Sequence, residues 1–315
     1  MGNETTLEDL FLRFGVFMHR RFYDREKRRF LIALSQEFED MGFTTEIKMK
    51  KVGAFKVRNL YVGNITRANK IFTTYYDTPT AGNSSYNVLD KAPKKGVMLS
   101  SAIPLAAIMI FGVFYIQYFA MPAWSQNWVS LPSILSILVS LILFGLLLHL
   151  RRGFGQRNNA IRNTSSILAI IEAARNMDEQ QRSKYAFAFT DYGTVNHFGE
   201  KLVPYHANDV EQEKTYIMLD SIGSLDELQL LTSANMVDKT KRMMQKLEMN
   251  MPSIINLDAP NAVQKKLYKN NVVITAGNKT AENQIVMNTK LNKEYSDKMM
   301  ENIRQRAKIV LAMMN

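Results

Sequence analysis

From Gly96 to Leu150 the chain carries no Asp, Glu, Lys or Arg, while the sequence on both sides is densely charged. Within that gap Val97–Met121 and Trp128–Leu150 each exceed the roughly 20 apolar residues with which a helix crosses a bilayer. A buried helix of a soluble core normally keeps a strongly polar edge, and these carry no charged residue. The stretch predicts a transmembrane helical hairpin over 96–150 and divides the chain as 1–95, 96–150 and 151–315. Lys91, Lys94 and Lys95 precede the first span and Arg151, Arg152 and Arg157 follow the second, whereas the connecting MPAWSQNW is uncharged. The positive-inside rule then predicts an integral membrane protein with two spans and with both termini and the soluble parts cytoplasmic. Trp124 and Trp128 fit the far interface.

Outside the gap, 315 residues with 46% hydrophobic content suffice for a sizeable core. The absence of cysteine excludes disulfides, thiol nucleophiles and thiolate metal sites. The formal charge of +11 is densest in HRRFYDREKRRF, His19 to Phe30, which reads either as a helix lying along an anionic leaflet or as a solvated helix face. Nucleic acid is not an expected partner. No Gly-rich phosphate loop, Ser nucleophile motif or metal-spaced His pair is present. His197 and His206 read as loop histidines.

The two flanks alternate helical and extended patterns, the mark of an α/β fold with a mostly parallel mixed sheet flanked by helices. EKRRFLIALSQEFEDMGF is a periodic helix, and TEIKMKK, VRNLYVGNI and KIFTTYYD follow as strands. After the hairpin, NTSSILAIIEAARNM opens on a capping Asn-Thr-Ser and continues at helical spacing. KYAFAFTD and KTYIMLDSIG are continuous apolar runs of the central-strand type. SANMVDKTKRMMQKLEM and NAVQKKLY read as helices, NVVITAG as a strand, and EYSDKMMENIRQRAKIVLAMM as a last amphipathic helix. No segment before the hairpin closes a core alone, so the flanks are taken as halves of one domain.

In order, NLYVGNI, TTYYDT, RNTSSILAIIEAAR, FAFTDYG, IMLDSIG and MNTKLNKEYSDKMMENI resemble the motif sequence of the zinc-dependent exopeptidase family. That family includes bacterial leucine aminopeptidases, glutamate carboxypeptidase and the non-catalytic nicastrin ectodomain. The resemblance implies a strand ending His-x-Asp, an Asp-Asn-x-Ser-Gly helix start, a strand ending Glu-Glu, a strand ending Asp and a late His. Two zinc ions would be held by two His, two Asp and a Glu, with a second Glu as general base.

Placed on this chain, the resemblance puts Tyr75 at the first His, Asn288 at the last, Arg162 at the bridging Asp and Asp191-Tyr192 at the Glu pair. Asp220 keeps a ligand type, and Asp77 keeps the carboxylate that would orient the lost imidazole. Arg cannot shed its proton to ligate a metal and repels the cation. No catalytic residue, metal or other cofactor is therefore expected, and Arg162 is expected to act as a fixed internal cation for Asp220, Asp191 or Asp77.

The hairpin falls in a loop that the family places at the rim of the active site, so the former active-site face is expected to turn toward the membrane. The implied function is a membrane-anchored pseudopeptidase that binds or scaffolds within a membrane complex. Its expected partners are the lipid bilayer and a membrane protein or peptide. The alternatives are an active zinc aminopeptidase with a rearranged set such as Asp77, Asp191, Asp220 and His197, or a transporter accessory subunit. Asp77 and Asp220 also admit a plain reading as turn or helix caps.

Overall fold

The computed structural model describes residues 5–53, 55–80, 86–87, 95–150, 155–157, 159–194, 196–211, 213–245, 253–256, 267–280, 285–287 and 295–314. The N-terminal flank runs through α1 (Leu7–Phe11), a π-helical turn (Leu12–Phe17) and α2 (Asp24–Asp40). It continues with β1 (Thr45–Val52), β2 (Phe55–Val62), β3 (Lys70–Tyr75) and the short β4 (Tyr86–Asn87). The apolar stretch forms α3 (Lys95–Tyr115), α4 (Met121–Gln126) and α5 (Leu131–Leu150).

After it come a second π-helical turn (Ala160–Thr164), α6 (Ser165–Arg175), α7 (Glu179–Lys184), β5 (Tyr185–Thr190), α8 (Phe198–His206) and β6 (Thr215–Asp220). Next are β7 (Leu228–Thr232), α9 (Val237–Met244), β8 (Ser253–Asn256) and β9 (Asn271–Ala276). The short β10 (Asn278–Lys279) and β11 (Ile285–Met287) precede α10 (Asp297–Met314). Most of the NAVQKKLY segment, with Lys91, Lys94, Arg151 and Arg152, lies outside the described residues.

Two compact units result. The first contains residues 1–79, 85–92 and 157–315, and its eight-stranded sheet has the order β1-β2-β5-β3-β6-β9-β7-β8. β3 pairs in parallel with both β5 and β6, β6 pairs in parallel with β9, and β7 with β8. The β1–β2, β2–β5 and β7–β9 pairs are antiparallel. β4, β10 and β11 form a separate small sheet.

The central strands are apolar throughout because both faces are covered. On β5, Phe187 and Phe189 enter one core with α1, α2, α6 and α10, while Ala186 and Ala188 enter the opposite core beside Val203 of α8 and Ala207, which caps that helix. β3 and β6 divide in the same way, with Phe72, Ile217 and Leu219 on one side and Ile71 and Tyr216 on the other. That alternation is the two-residue period of a strand buried on both faces.

The second unit holds the apolar helices. Ala102–Gln126 and Leu131–Leu148, of 25 and 18 residues, are long and apolar enough to cross a membrane. Their large side chains, Phe111, Phe114, Phe119, Leu141 and Phe144 among them, point outward. Tyr115 donates to the Ser136 carbonyl at 3.1 Å, and Ser133 donates to the Ala123 carbonyl at 2.9 Å, so these two hydroxyls are satisfied inside the pair. Trp124 and Trp128 stack with centroids 5.6 Å apart.

Candidate functional site

Parallel pairing in the order β5-β3-β6 brings three strand ends together: Tyr75 at the end of β3, Asp191 just past β5 and Asp220 at the end of β6. This carboxyl edge is where ligand crevices of open α/β sheets lie. Backbone strain gathers at the same edge. Tyr192, His197 and Ser221 hold φ of 57°, 56° and 57°, a left-handed conformation that residues other than Gly rarely adopt.

The π-turn at Ala160–Thr164 presents Arg162 to the site, a common use of such turns. Arg162 Nε donates to the Tyr75 hydroxyl at 2.9 Å, and that hydroxyl donates to Asp220 Oδ1 at 2.9 Å. Ser221 Oγ donates to the same oxygen at 3.0 Å, and Ser221 N–H donates to the Arg162 carbonyl at 2.8 Å. Three positions that the family resemblance assigns to metal ligands are thus joined by hydrogen bonds, with the phenol bridging guanidinium and carboxylate. Tyr75 and Asp220 are fully buried and Arg162 nearly so.

Asp191 has a cation of its own. Lys27 Nζ of α2 lies 2.5 Å from Asp191 Oδ1 and 3.9 Å from the centroid of the Tyr192 ring. The Tyr192 N–H donates to the same carboxylate at 2.9 Å and the Arg58 N–H at 3.2 Å. Burial works against the Lys27 ammonium, but the carboxylates of Asp191 and Asp77 outweigh it and hold its pKa above the ordinary lysine value. Tyr192 follows as part of this pair rather than as a metal ligand.

Asp77 is neither a helix cap nor a free ligand. Gly193 N–H donates to Oδ1 at 2.8 Å and Thr194 N–H to Oδ2 at 3.3 Å, with the Thr194 hydroxyl adding a third bond. A side chain at 193 would place Cβ 2.2 Å from Tyr75 Cβ, so only Gly lets this loop close on the strand end. Asn163, whose neighbourhood the sequence marks as a helix cap, donates instead to the Asp77 carbonyl at 2.6 Å. Its oxygen accepts from Arg21 at 2.7 Å. Arg21 is fully buried and also donates to Thr164, to the Tyr76 carbonyl and to the Phe14 carbonyl, tying the first π-turn to the site.

His197 Nδ1 stands 3.5 Å from Glu200 Oε1. Glu200 is fully buried, and neither carboxylate oxygen accepts a hydrogen bond among the described residues. Burial opposes the charged ring of His197, while Glu200, with Asp77 and Asp220 further off, prevails and raises its pKa. His206 is engaged elsewhere, its Nδ1 2.6 Å from the Tyr61 hydroxyl. Asn288 lies outside the described residues.

Lys27, Arg21, Gly193 and Glu200 were not among the residues that the sequence motifs single out. For Lys27 a signal exists. It falls on the same stripe of α2 as Phe30, Leu31, Leu34 and Phe38, all buried, so the helical period itself points it inward. Part of the basic cluster His19–Phe30 therefore serves the interior: Arg21 and Lys27 are buried, while Arg25, Arg28 and Arg29 are exposed.

These donors do not fit a zinc centre. Zinc needs converging neutral imidazoles and carboxylates, and here one carboxylate is paired to an ammonium while another is reached by a guanidinium through a phenol. Among the described residues no group of three His, Cys, Asp or Glu side chains has a metal-holding arrangement.

The fold is a zinc-exopeptidase-like α/β fold. Its solved neighbours include a leucine aminopeptidase precursor from Bacteroides thetaiotaomicron, with a TM-score of 0.58, 13% identity and 99% of this chain matched to 97% of that one. A glutaminyl cyclase from the same organism, bound to N-acetylhistamine, gives 0.57, 13%, 99% and 98%. An aminopeptidase of Legionella pneumophila gives 0.55, 10%, 98% and 69%. No family model and no curated protein matches the sequence.

Proposed function

We propose that this chain is a membrane-anchored pseudopeptidase, a degenerate member of the zinc-exopeptidase superfamily that serves as a scaffolding subunit of a membrane complex. The observation that carries this reading is the Lys27–Asp191 ion pair at 2.5 Å, together with the Arg162–Tyr75–Asp220 chain. Arg162 and Tyr75, which the family resemblance sets at metal-ligand positions, offer a cation and a phenol, and Lys27 supplies a second cation to the carboxylate of Asp191. Tyr75, Asp77, Asp191 and Asp220 are all buried, which favours a protein partner bound at the surface over a small ligand bound at the strand ends.

Purified protein is expected to carry no stoichiometric zinc, to cleave no aminoacyl reporter and to keep its melting temperature when a chelator is added. A metal that binds only the folded state must stabilise it, so chelation would otherwise lower that temperature. Tight zinc with chelator-sensitive peptidase activity would instead support the enzyme built on Asp77, Asp191, Asp220 and His197. Co-purification with a transporter in mild detergent would favour the accessory-subunit reading.

The topology follows from the charge asymmetry around the hairpin. A cysteine at Ser125 should react with an impermeant thiol reagent in intact cells, while one at Val210, which is 90% exposed, should react only after lysis. The chain's lack of cysteine makes the background clean. The reverse pattern would place the soluble domain outside and end the cytoplasmic reading.

A further inference from the structure

We propose that the outer side of the N-terminal helical pair, Leu12, Val16 and Phe17 with Arg25, Arg28 and Arg29, seats on an anionic lipid surface. The inference rests on the membrane-anchored reading and adds to the hairpin a second contact, made by the soluble domain. Phe17 is 81% exposed, Leu12 49%, Val16 44% and Ile32 of α2 61%. On the π-turn Val16 and Phe17 follow Leu12 by four and five residues, a spacing that the i→i+5 repeat brings to one side. The inner side of that turn is fixed to α2 by Phe14 on Phe30, centroids 5.4 Å apart, and by Arg13 on Glu37 at 3.0 Å.

On α2, Arg25, Arg28, Arg29 and Ile32 occupy one exposed stripe at helical spacing. Nearby acids are engaged. Asp24 is paired to Arg28 and Arg58, Glu8 to Arg304, Glu26 to Arg20, and Asp9 caps its own helix through Thr6. Exposed aromatic and aliphatic side chains on a turn packed against α2, together with the exposed arginines of that helix, are the composition of a segment that dips into the headgroup region while its cations face anionic lipid. Neither Phe17 nor this stripe takes part in the strand-end site, so that site does not explain their exposure.

The test uses the full chain reconstituted in vesicles. Phe17→Cys carries an environment-sensitive fluorophore, and Val210→Cys serves as the comparison position. In phosphatidylcholine vesicles containing phosphatidylserine, the probe at 17 should emit to the blue and be quenched several-fold less by neutral acrylamide than in phosphatidylcholine alone. High salt should reverse the shielding, since exposed charges are screened. Adding Arg25→Glu, Arg28→Glu and Arg29→Glu should abolish it, while the probe at 210 stays accessible throughout. Equal quenching at 17 and 210 in anionic vesicles, with the protein still resistant to alkaline extraction, overturns this proposal and leaves the membrane anchor standing. Shielding that persists in detergent without lipid indicates a protein contact and overturns it too. Release of the chain by alkali refutes the anchored reading and this proposal together.

Discussion

A Lys27→Met chain should lose folding stability that grows with pH and approaches about 3 to 5 kcal/mol only at alkaline pH, the cost of leaving a buried, ionised carboxylate without its cation. Met keeps most of the volume of the lysine stem, so the effect reports charge rather than a cavity. Even with Lys27 in place, burial pushes the Asp191 carboxyl up to about 6, with Lys27 pulling the other way. Removing the ammonium raises it further.

A carboxyl whose folded pKa exceeds its unfolded value favours the fold while protonated. That contribution is complete below the unfolded pKa and is lost as pH rises through the folded one. The deficit of the variant should therefore be largest above the variant's own raised pKa and shrink on acidification, becoming small once both chains are protonated below about 6. Denaturant midpoints followed by circular dichroism at mildly acidic and mildly alkaline pH measure this directly. Lys27→Met combined with Asp191→Asn should recover much of the loss. A deficit that does not change with pH would mean that Asp191 is not the group left unpaired.

Arg162→Ala is expected to cost about 3 to 5 kcal/mol as well, because the guanidinium is the cation behind the Tyr75–Asp220 hydrogen bond. Tyr75→Phe keeps the ring and removes only the bridging hydroxyl, so it should cost roughly 1 to 3 kcal/mol as two buried partners lose a bond. Asp220→Asn in the Arg162→Ala background should recover part of the loss. A silent Arg162→Ala would remove the internal cation from the account and separate Arg162 from any role in replacing metal charge.

The strand ends were legible in the sequence because a continuous apolar run that stops at a polar residue, as in YAFAFTD or TYIMLD, marks both a doubly buried strand and its carboxyl end. Arg162 was legible through its place before Asn163 and the helix, although its contact with Asp220 through the Tyr75 hydroxyl depends on tertiary geometry. Other features were hidden for physical reasons. Arg21 precedes α2 in a segment without a period, and its partners Asn163 and Thr164 lie far along the chain. β7, LQLLT, has no alternation of its own and is a strand because β9 and β8 pair with its two edges. Glu200 sits in an amphipathic helix at a position where burial against the Gly193 loop, rather than spacing, decides its surroundings.

The strand order imposes a sequence of events during synthesis. β3 emerges from the ribosome before the apolar helices, yet both strands that flank it, β5 and β6, are encoded after them. Lys27 and Arg21 likewise wait for Asp191, Asn163 and Thr164. Among the described strands, the nascent N-terminal flank can complete only the β1–β2 ladder of the large sheet by itself. Any machinery that captures the apolar helices as they appear therefore acts on a chain whose soluble domain is still open. On the membrane-anchored reading, maturation of that domain is a late, post-insertion step, in which the first flank must be kept from aggregating until the second arrives.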